Sequence, residues 1–469
     1  ILVMNPNNGE ILAMVNKPDF DPNSPFDGYE DFIGETDAEK LQKMWRNSLV
    51  NDTFEPGSIF KVITMSTAIE EGLVSESDTF ECGGSLQVGP HTIHCWKRSG
   101  HGTQILPEIL QNSCNVGFMK LGEKIGAEKL VEYIKKFGFG QVSGVDLPGE
   151  ARGIIKSAEN MNDADLATIS FGQTNTVNAV QYMTAFNAIV NGGTLIQPHI
   201  MKSISHVDSN GNTIVDEVFE PKTTENVISE ETAATLRDYL ERTVNQGGSN
   251  KAYIEGYHIG AKTGTAQKVN PLTGSYESGK YISSMAGFAT VENPQITVFL
   301  SIDEPSNGAY YAGTVTAPLG KILLEDIFNY LDSEFSQDEN VILKDIVIPE
   351  LRGLSVSEAK KLLKEYNLEC TVEGDGETIT NMQPYPGYTI KEGSTINLYT
   401  DENATYNKDV IMPDVRGYSK ESAVELLEGL GIKYTLQGDG VVINQNIPSG
   451  ELISEGTTVK LTLSAEYGD

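Results

Sequence analysis

The sequence predicts an α+β protein that combines one large unit with two small repeated ones. Helical and strand-like apolar patterns follow one another in mixed order over the first 330 residues, without the regular alternation of an α/β fold. A polar stretch without a periodic apolar face, residues 332–340, comes next. An internal repeat fills the rest of the chain, and 469 residues are enough for several domains.

The large unit opens with a predicted hairpin. Two apolar runs flank an Asn-Pro-Asn-Asn-Gly turn within residues 1–16, which is typical of two antiparallel strands. A helix is expected to begin near Ser58 and to end at Gly72, and it should be buried because apolar residues cover most of its circumference. Further helices are predicted at 105–121, 126–137, 176–191, 230–245 and 316–331, and strands at 257–267, 281–290 and 295–303.

The internal repeat sets the domain organisation. Pro349 and Arg352, for example, recur 64 residues later as Pro413 and Arg416. Each copy has the pattern of a helix followed by strands. The predicted division is a domain over 1–331, a linker over 332–346, a first repeat over 347–400, a linker over 401–409 and a second repeat over 410–465.

The net charge of the chain and the length of its apolar runs exclude some classes of function. The chain has 66 acidic and 34 basic residues, a net charge of −32, so nucleic acid is not an expected partner. No stretch approaches the roughly 18 to 20 consecutive apolar residues that a membrane helix needs. The sequence starts at Ile1, without an initiator Met and inside an apolar run. We therefore expect this chain to be a fragment of a longer protein.

The first chemical motif is Ser58-Ile-Phe-Lys61. The serine is predicted at a helix N-terminus, where the helix dipole favours developing negative charge, and the lysine follows one turn later on the same face. A buried lysine in that position could lose its proton near neutral pH and act as a base. The motif alone is not specific, because Ser357 and Lys360 have the same spacing inside the first repeat.

Two further motifs follow in the same large unit. Ser113-Cys-Asn115 is the only Ser-x-Asn in the chain, and its hydroxyl could relay a proton. Lys262-Thr263-Gly264-Thr265 lies in a strand-like run, where the glycine would let a substrate backbone approach and the cationic and hydroxyl side chains would hold a carboxylate. Serine acyl transfer needs such a set of groups.

The three motifs, in this order, resemble the signature of penicillin-binding proteins and serine β-lactamases. Residues 1–330 are similar to a class B transpeptidase domain, with Glu55-Pro-Gly-Ser58 and Phe171-Gly-Gln173 adding to the likeness, and the repeats are similar to PASTA modules. The resemblance implies an antiparallel sheet with helices on both sides, followed by two small α+β domains. The chain departs from the family pattern after Gln173, at Thr174-Asn175 and again at residues 178–181, so contacts in that loop are not implied.

Roles for the motif residues come from this resemblance. It implies that Ser58 is the nucleophile, Lys61 the general base, and Ser113 with Asn115 the proton relay and amide contact. It places Lys262, Thr263, Gly264 and Thr265 on the strand that recognises the substrate carboxylate. The oxyanion hole would use the backbone N–H groups of Ser58 and Thr265.

The resemblance also implies a reaction and its partners. Ser58 would attack the penultimate D-Ala carbonyl of a peptidoglycan stem peptide, D-Ala would leave, and an amine of a neighbouring strand would take the acyl group. β-Lactams would acylate the same serine. The complete protein would be extracytoplasmic, anchored in the membrane and paired with a glycosyltransferase. Alternatives are a β-lactam sensor or wall-binding protein without turnover, and a serine β-lactamase.

A cluster of cysteines and histidines lies between residues 82 and 114, and its last cysteine is part of the second motif. Cys82, Cys95, His101 and Cys114 could form a tetrahedral zinc site, although their spacing fits no standard zinc module. The alternatives are a disulfide between Cys82 and Cys95, or buried free thiols. The run from His94 to His101 also resembles the sporulation-specific branch of the class B family, the stage V sporulation protein D type. Septal synthesis, as in the cell-division branch, stays open as well.

Overall fold

The structure is a computed structural model that describes residues 1–270, 273–306, 308–335, 342–401 and 408–465. The predicted linkers lie partly outside these residues. Strands up to residue 335 are β1 (Leu2–Met4), β2 (Ile11–Met14), β3 (Thr79–Cys82), β4 (Ser85–Val88), β5 (His91–His94), β6 (Gly102–Ile105), β7 (Leu195–Ile196), β8 (Ser203–Val207), β9 (Thr213–Val218), β10 (Thr223–Thr224), β11 (Ile259–Val269), β12 (Tyr276–Ala289) and β13 (Ile296–Asp303). The helices are α1 (Asp37–Met44), α2 (Ser48–Asn51), α3 (Lys61–Glu70), α4 (Leu106–Gln111), α5 (Asn115–Ile125), α6 (Ala127–Lys136), α7 (Asp163–Ile169), α8 (Ala179–Val190), α9 (Glu230–Gln246) and α10 (Ala312–Phe335).

An antiparallel sheet in the order β11-β12-β13-β1-β2 organises the large unit. Both faces of the sheet are buried, because successive side chains of β12 enter different cores. Ala286 and Phe288 belong to the core that contains α3 and α8, whereas Met285 and Ala289 belong to a second core that contains α10. The predicted fold class, an antiparallel sheet with helices on both sides, is confirmed.

The predicted helix over 105–121 is two helices in the structure. The chain breaks between α4 and α5, where Ser113 has a φ of +48°. Apolar residues continue at helical spacing across the break, which is why the pattern does not reveal it. The predicted last helix, 316–331, begins earlier and ends later, as α10. The pairs β3–β6 and β4–β5 have no predicted counterpart.

The two repeat units share one topology. Each has a short strand pair and a three-stranded sheet in which two strands run parallel and the third antiparallel. Their cores are separate. Their elements are β14 (Asp345–Val347), α11 (Val356–Glu365), β15 (Glu369–Glu373), β16 (Asn381–Gln383), β17 (Thr389–Lys391) and β18 (Thr395–Tyr399) in the first unit, and β19 (Val410–Ile411), α12 (Lys420–Gly429), β20 (Lys433–Gln437), β21 (Val441–Gln445), β22 (Leu452–Ile453) and β23 (Thr458–Ser464) in the second.

Both repeat units contact the large unit near the start of β11. The ring of His258 lies between two carboxylates, with Nδ1 2.6 Å from Glu241 of α9 and Nε2 2.8 Å from Asp345 of β14. Beside it, the Tyr253 ring packs against Tyr418 of the second repeat at a centroid distance of 5.9 Å. These contacts attach the repeats to the segment that leads into β11.

Replacement of His258 should weaken this attachment in a pH-dependent way. Hydrogen bonds to Asp345 and Glu241 raise the pKa of His258 to about 10, above the unfolded value of about 6.5. A raised pKa stabilises the fold fully below pH 6.5, and this contribution is lost as the pH rises towards 10. We expect His258→Gln to lower the free energy of unfolding by about 1–2 kcal/mol at pH 6, a value reduced by solvent screening.

Thermal unfolding of wild type and variant at pH 6 and pH 10 measures the effect. The difference between the two proteins should shrink at pH 10. His206→Gln is the control, since His206 pairs with Asp216 inside the exposed β8–β9 hairpin and joins no domains. A difference that is the same at both pH values would contradict the prediction.

Candidate active site

Ser58 lies at the start of the central helix, as predicted. A single 3₁₀ turn, Gly57–Phe60, runs directly into α3. Lys61 to Ala68 are all buried, whereas Ser58 is half-buried and reaches a cleft. The core therefore fixes the helix while its first turn stays open to a ligand.

The amine of Lys61 is surrounded by oxygen atoms. Its Nζ lies 3.0 Å from Ser58 Oγ and 3.0 Å from Ser113 Oγ. It also lies 2.7 Å from the Ser113 carbonyl oxygen and 2.7 Å from Asn115 Oδ1. The side chain of Lys61 is fully buried, with the ring of Phe118 5.5 Å away. The structure thus brings the first two motifs into direct contact.

The number of hydrogens on Lys61 limits how these contacts can form. The two carbonyl-type oxygens can only accept, so they occupy two N–H groups. A neutral amine then has no hydrogen left and directs its lone pair to a hydroxyl, which donates to it. An ammonium has one hydrogen left, enough for one hydroxyl but not for both. The geometry suits an amine that exchanges a proton with Ser58 or Ser113.

The break between α4 and α5 aims Ser113 at this amine. The positive φ of Ser113 turns both its carbonyl and its hydroxyl towards Lys61, although this backbone conformation costs about 1–2 kcal/mol in a residue with a Cβ. Trp96 Nε1 donates to the carbonyl of the preceding residue, Asn112, at 3.0 Å. Ser113 itself is fully buried.

The third motif lies on β11, beside the first turn of the Ser58 helix. A Cβ atom on Gly264 would lie 3.0 Å from the Pro56 carbonyl oxygen, and one on Gly57 would lie 3.4 Å from the Thr265 carbonyl carbon. The missing side chain of Gly264 therefore allows the strand to approach this turn closely, and the φ of +57° at Gly57 favours glycine in the turn itself. Thr265 lines the cleft, and its hydroxyl accepts from Ala312 N at 2.9 Å.

Lys262 and Thr263 lie deeper than Thr265. Lys262 is 1% exposed, with Nζ 3.0 Å from the Thr263 carbonyl oxygen, and Thr263 is fully buried. The Thr263 hydroxyl has no hydrogen-bond partner among the described residues. All four residues of the motif thus lie on the predicted strand, and Thr265 is the one that faces the cleft.

The cleft has a volume of about 690 Å³ and lies between a sheet wall and a helical wall. Thr265 and Gln267 belong to the sheet wall, together with a row of aromatic rings. Tyr281 and Tyr310 stack at 4.1 Å between centroids, and Tyr311 follows at 4.4 Å. The β4–β5 hairpin and the turn after it form part of the helical wall.

Glu55 joins three separate segments beneath the cleft. Its carboxylate accepts from Thr174 N at 2.8 Å and from the Tyr276 hydroxyl at 2.9 Å. Burial raises the pKa of Glu55 against the effect of these two hydrogen bonds. Nothing in the local sequence indicates these partners, because they lie 119 and 221 residues away. Glu55 holds the loop after Gln173, where the chain departs from the family pattern.

The four residues of the predicted metal cluster meet beside the second motif. Pairing of β3 with β6 sets Cys82 opposite Gly102, the neighbour of His101. Cys95 follows β5, and Cys114 is the N-cap of α5. One ligand atom from each residue lies within 4.8 Å of all the others, and the three thiols are buried. All four cysteines of the chain are unpaired, so the structure contains no Cys82–Cys95 disulfide.

Two details of this cluster concern its hydrogen bonds. A hydrogen bond from the Cys114 thiol, and a weaker one from His101, lower the pKa of Cys95 despite its burial. The same contact raises the pKa of Cys114. The Nε2 atom of His101 is buried and has no hydrogen-bond partner within the described ranges. Such an unsatisfied buried nitrogen is uncommon.

Comparisons with known proteins identify the family of the chain. Residues 1–325 match the family model described as the penicillin binding protein transpeptidase domain, and residues 346–402 and 410–465 match that of the PASTA domain. The chain is 38% identical over 411 residues to stage V sporulation protein D of Bacillus subtilis. This alignment covers 86% of this chain and 60% of the relative. It is 31% identical over 351 residues to penicillin-binding protein PbpB of Mycobacterium tuberculosis, covering 73% of this chain and 48% of the relative. The chain thus spans between about half and three fifths of these relatives.

Solved structures show the same fold. A crystal structure of penicillin binding protein 3 from Mycobacterium tuberculosis, complexed with ampicillin, is 30% identical with a TM-score of 0.61 and covers 73% of this chain and 75% of its own. The transpeptidase domain of penicillin-binding protein 3 from Burkholderia pseudomallei, in its apo form, is 29% identical with a TM-score of 0.57, covering 71% of this chain and 87% of its own.

Proposed function

Because this chain belongs to the penicillin binding protein transpeptidase family, as its three motifs predict, we propose that it is a serine D,D-transpeptidase that cross-links peptidoglycan and is acylated by β-lactams. The observation that carries the proposal is the contact of Lys61 Nζ with both Ser58 Oγ and Ser113 Oγ, each at 3.0 Å. In this arrangement Lys61 can accept the proton of the Ser58 hydroxyl. It can then pass a proton on through the hydroxyl of Ser113.

The acylation half-reaction uses these three groups in turn. Ser58 Oγ attacks the carbonyl carbon of the penultimate D-Ala while its proton moves to the neutral amine of Lys61. The backbone N–H groups of Ser58 and Thr265 stabilise the oxyanion. Lys61 then returns a proton, through the Ser113 hydroxyl, to the nitrogen of the leaving D-Ala. The C–N bond breaks, and the acyl group remains as an ester on Ser58.

The second half-reaction transfers the acyl group. An amine from a neighbouring stem peptide attacks the ester, loses its proton along the same path, and releases Ser58. Thr265 recognises the terminal carboxylate, and Asn115 contacts the substrate amide. Lys262 and Thr263 belong to the same strand, but both are buried and do not line the cleft. Gly264 faces the Ser58 turn, so its missing side chain admits that turn and not a substrate backbone. Within the described residues no helix is long and apolar enough to cross a membrane. We place the complete protein outside the cytoplasm, anchored to the membrane, with a glycosyltransferase as its partner.

The domain division follows from the same proposal. We assign 1–331 to the transpeptidase domain, 347–400 and 410–465 to the two PASTA domains, and 332–346 and 401–409 to linkers. The family-model matches to 1–325, 346–402 and 410–465 support this division to within a few residues.

We also propose that Cys82, Cys95, His101 and Cys114 hold a structural zinc ion. A Zn–S bond of about 2.3 Å in a tetrahedral site sets two sulfurs about 3.8 Å apart, and the four donor atoms already lie within 4.8 Å of one another. Soft thiolate and imidazole donors without an open position suit a structural zinc. The ion would cross-link the β3–β6 segment to the residue that follows Ser113, and it would take no part in acyl transfer.

A role in sporulation is our third proposal. Identity to stage V sporulation protein D is 38% and extends over 86% of the chain, beyond residue 325, whereas identity to PbpB is 31% over 73%. Coverage of 86% must include part of the PASTA domains. We therefore assign the chain to wall synthesis during sporulation in preference to septum formation.

Ser58 should be the only residue acylated by benzylpenicillin. Intact mass spectrometry is expected to show one adduct in the wild type, none in Ser58→Ala, and one in Ser357→Ala, the matched control, because Ser357 and Lys360 have the same spacing on the exposed face of α11. Release of D-Ala from a peptide that ends in D-Ala-D-Ala should fall on the order of 10⁴-fold or more in Ser58→Ala.

The same assay separates the alternatives. A β-lactamase would lose its adduct within seconds, and a sensor would keep its adduct without releasing D-Ala from any substrate. Either result in the wild type would overturn the transpeptidase assignment.

The zinc site predicts one zinc ion per chain in protein purified without chelators. Elemental analysis should find close to one equivalent in the wild type and in Cys370→Ser, and much less in Cys95→Ser. Cys370 is the control because it is half-buried in the first repeat, away from the cluster. Zinc-free wild type, or equal zinc in both variants, would rule out the site.

Complementation tests the sporulation role. Residues 1–469 would replace the matching part of stage V sporulation protein D in a Bacillus subtilis strain that otherwise lacks that protein. We expect heat-resistant spores at more than about a hundredfold the number obtained with the Ser58→Ala fusion. The role is refuted if the fusion reacts with fluorescent penicillin in cells and yet restores no spores.

A further inference from the structure

The charge of the cleft is unlike that of the rest of the chain. Acidic residues outnumber basic ones 66 to 34, yet no Asp or Glu is among the described residues that line the cleft. Among those same residues, Arg98 is the only side chain with a permanent charge. Lys61 and Lys262 are buried and do not reach the lining. An acid-free cleft with one cation is suited to an anionic ligand.

Arg98 has no competing partner within the described part of the chain. Neither an ion pair nor a side-chain hydrogen bond engages it there, and its side chain is exposed to the cleft. Arg98 therefore keeps its guanidinium donors for a ligand, and a planar guanidinium binds a carboxylate through two parallel hydrogen bonds.

The backbone of the turn that carries Arg98 is held in place. A Cβ atom on Gly84 would lie 2.1 Å from the Arg98 carbonyl oxygen, and one on Gly100 would lie 2.3 Å from the Cys82 carbonyl oxygen. Gly100 N also donates to Lys97 O at 3.0 Å. The turn lies between Cys95 and His101, so the cluster holds both of its ends. A recognition group on a fixed turn loses little entropy when it binds.

We propose that Arg98 is a specificity residue that binds a free carboxylate of the stem peptide, upstream of the D-Ala-D-Ala end. This inference rests on the proposed function. Thr265, on the sheet wall, belongs to the strand assigned to the terminal carboxylate, and Arg98 lies on the helical wall of the same cleft. A stem peptide carries its remaining carboxylates on the second residue and, with some diamino acids, on the third. The shared chemistry is a carboxylate held by a guanidinium.

Three pentapeptides that end in D-Ala-D-Ala test the assignment. One has free carboxylates on the second and third residues, and in each of the other two one carboxylate is a carboxamide. The measurement is the peptide concentration that halves the rate at which fluorescent penicillin acylates Ser58, with D-Ala release as a second readout. We expect wild type to bind the dicarboxylate about tenfold more tightly than one of the carboxamides, which identifies the carboxylate bound by Arg98.

Variants assign this preference to Arg98. In Arg98→Gln, the peptide concentrations that halve the acylation rate should become nearly equal for the dicarboxylate and for the carboxamide that the wild type binds more weakly. In Arg98→Lys, part of the preference for the dicarboxylate should remain. Lys43→Gln removes one positive charge from the exposed end of α1 and should keep the full preference. Equal protection by all three peptides in the wild type, protection by none, or the same preference in Arg98→Gln would overturn the assignment.

The outcomes separate this inference from the proposed function. If penicillin does not acylate Ser58 at all, the transpeptidase proposal fails. If Ser58 is acylated and the three peptides compete without discrimination, only the role of Arg98 fails.

Discussion

Burial of the Lys61 amine is the constraint on which the rest of the site depends. An amine removed from water without partners costs several kcal/mol, more than most single interactions can return. Four oxygen atoms within 3.0 Å satisfy it, and three of them come from Ser113 and Asn115, more than fifty residues away. The helix break at Ser113 therefore has to form wherever Lys61 is buried. The hydrogen bonds that the buried Lys61 nitrogen requires therefore hold Ser58, Ser113 and Asn115 together.

Close backbone approach is the second requirement. Gly57 N donates to Gly172 O at 2.8 Å, and a Cβ atom on Gly172 would lie 1.9 Å from the Gly57 carbonyl oxygen. Gly264 faces the same first turn from the sheet side. Glycines on both sides of Ser58 thus allow two segments to lie against it, and Glu55 ties one of them to the β11–β12 hairpin through Tyr276. The nucleophile is held by backbone packing, which leaves its side chain free to react.

Local sequence predicted the parts of the fold that carry a periodic signal. The three long strands were predicted within a few residues, because each has one buried face or two, and the repeats were visible from recurring Pro, Arg and Gly positions. The β4–β5 hairpin was missed, since none of the residues in its two strands is buried and they show no alternation of buried and exposed positions. Contacts such as Glu55 with Tyr276, or His258 with Asp345, join residues far apart in the chain, and no single-sequence pattern encodes them. The concentration of cysteines and histidines in one segment predicted the cluster. Only the β3–β6 pairing shows that Cys82 lies opposite Gly102, next to His101.

The turn between α4 and α5 shows why the cluster and the catalytic groups cannot vary independently. Ser113 directs its carbonyl and hydroxyl at Lys61, and the next residue, Cys114, caps α5 by accepting from Gly117 N at 3.3 Å while its thiol meets Cys95. A shift of the Cys95 segment would act on Cys114, and through one peptide bond on Ser113, whose positive φ leaves it little room to adjust. The same segment continues into the turn that carries Arg98. One short stretch of chain therefore couples the proton relay to the wall of the cleft, so that any group bound by the cluster would stabilise both.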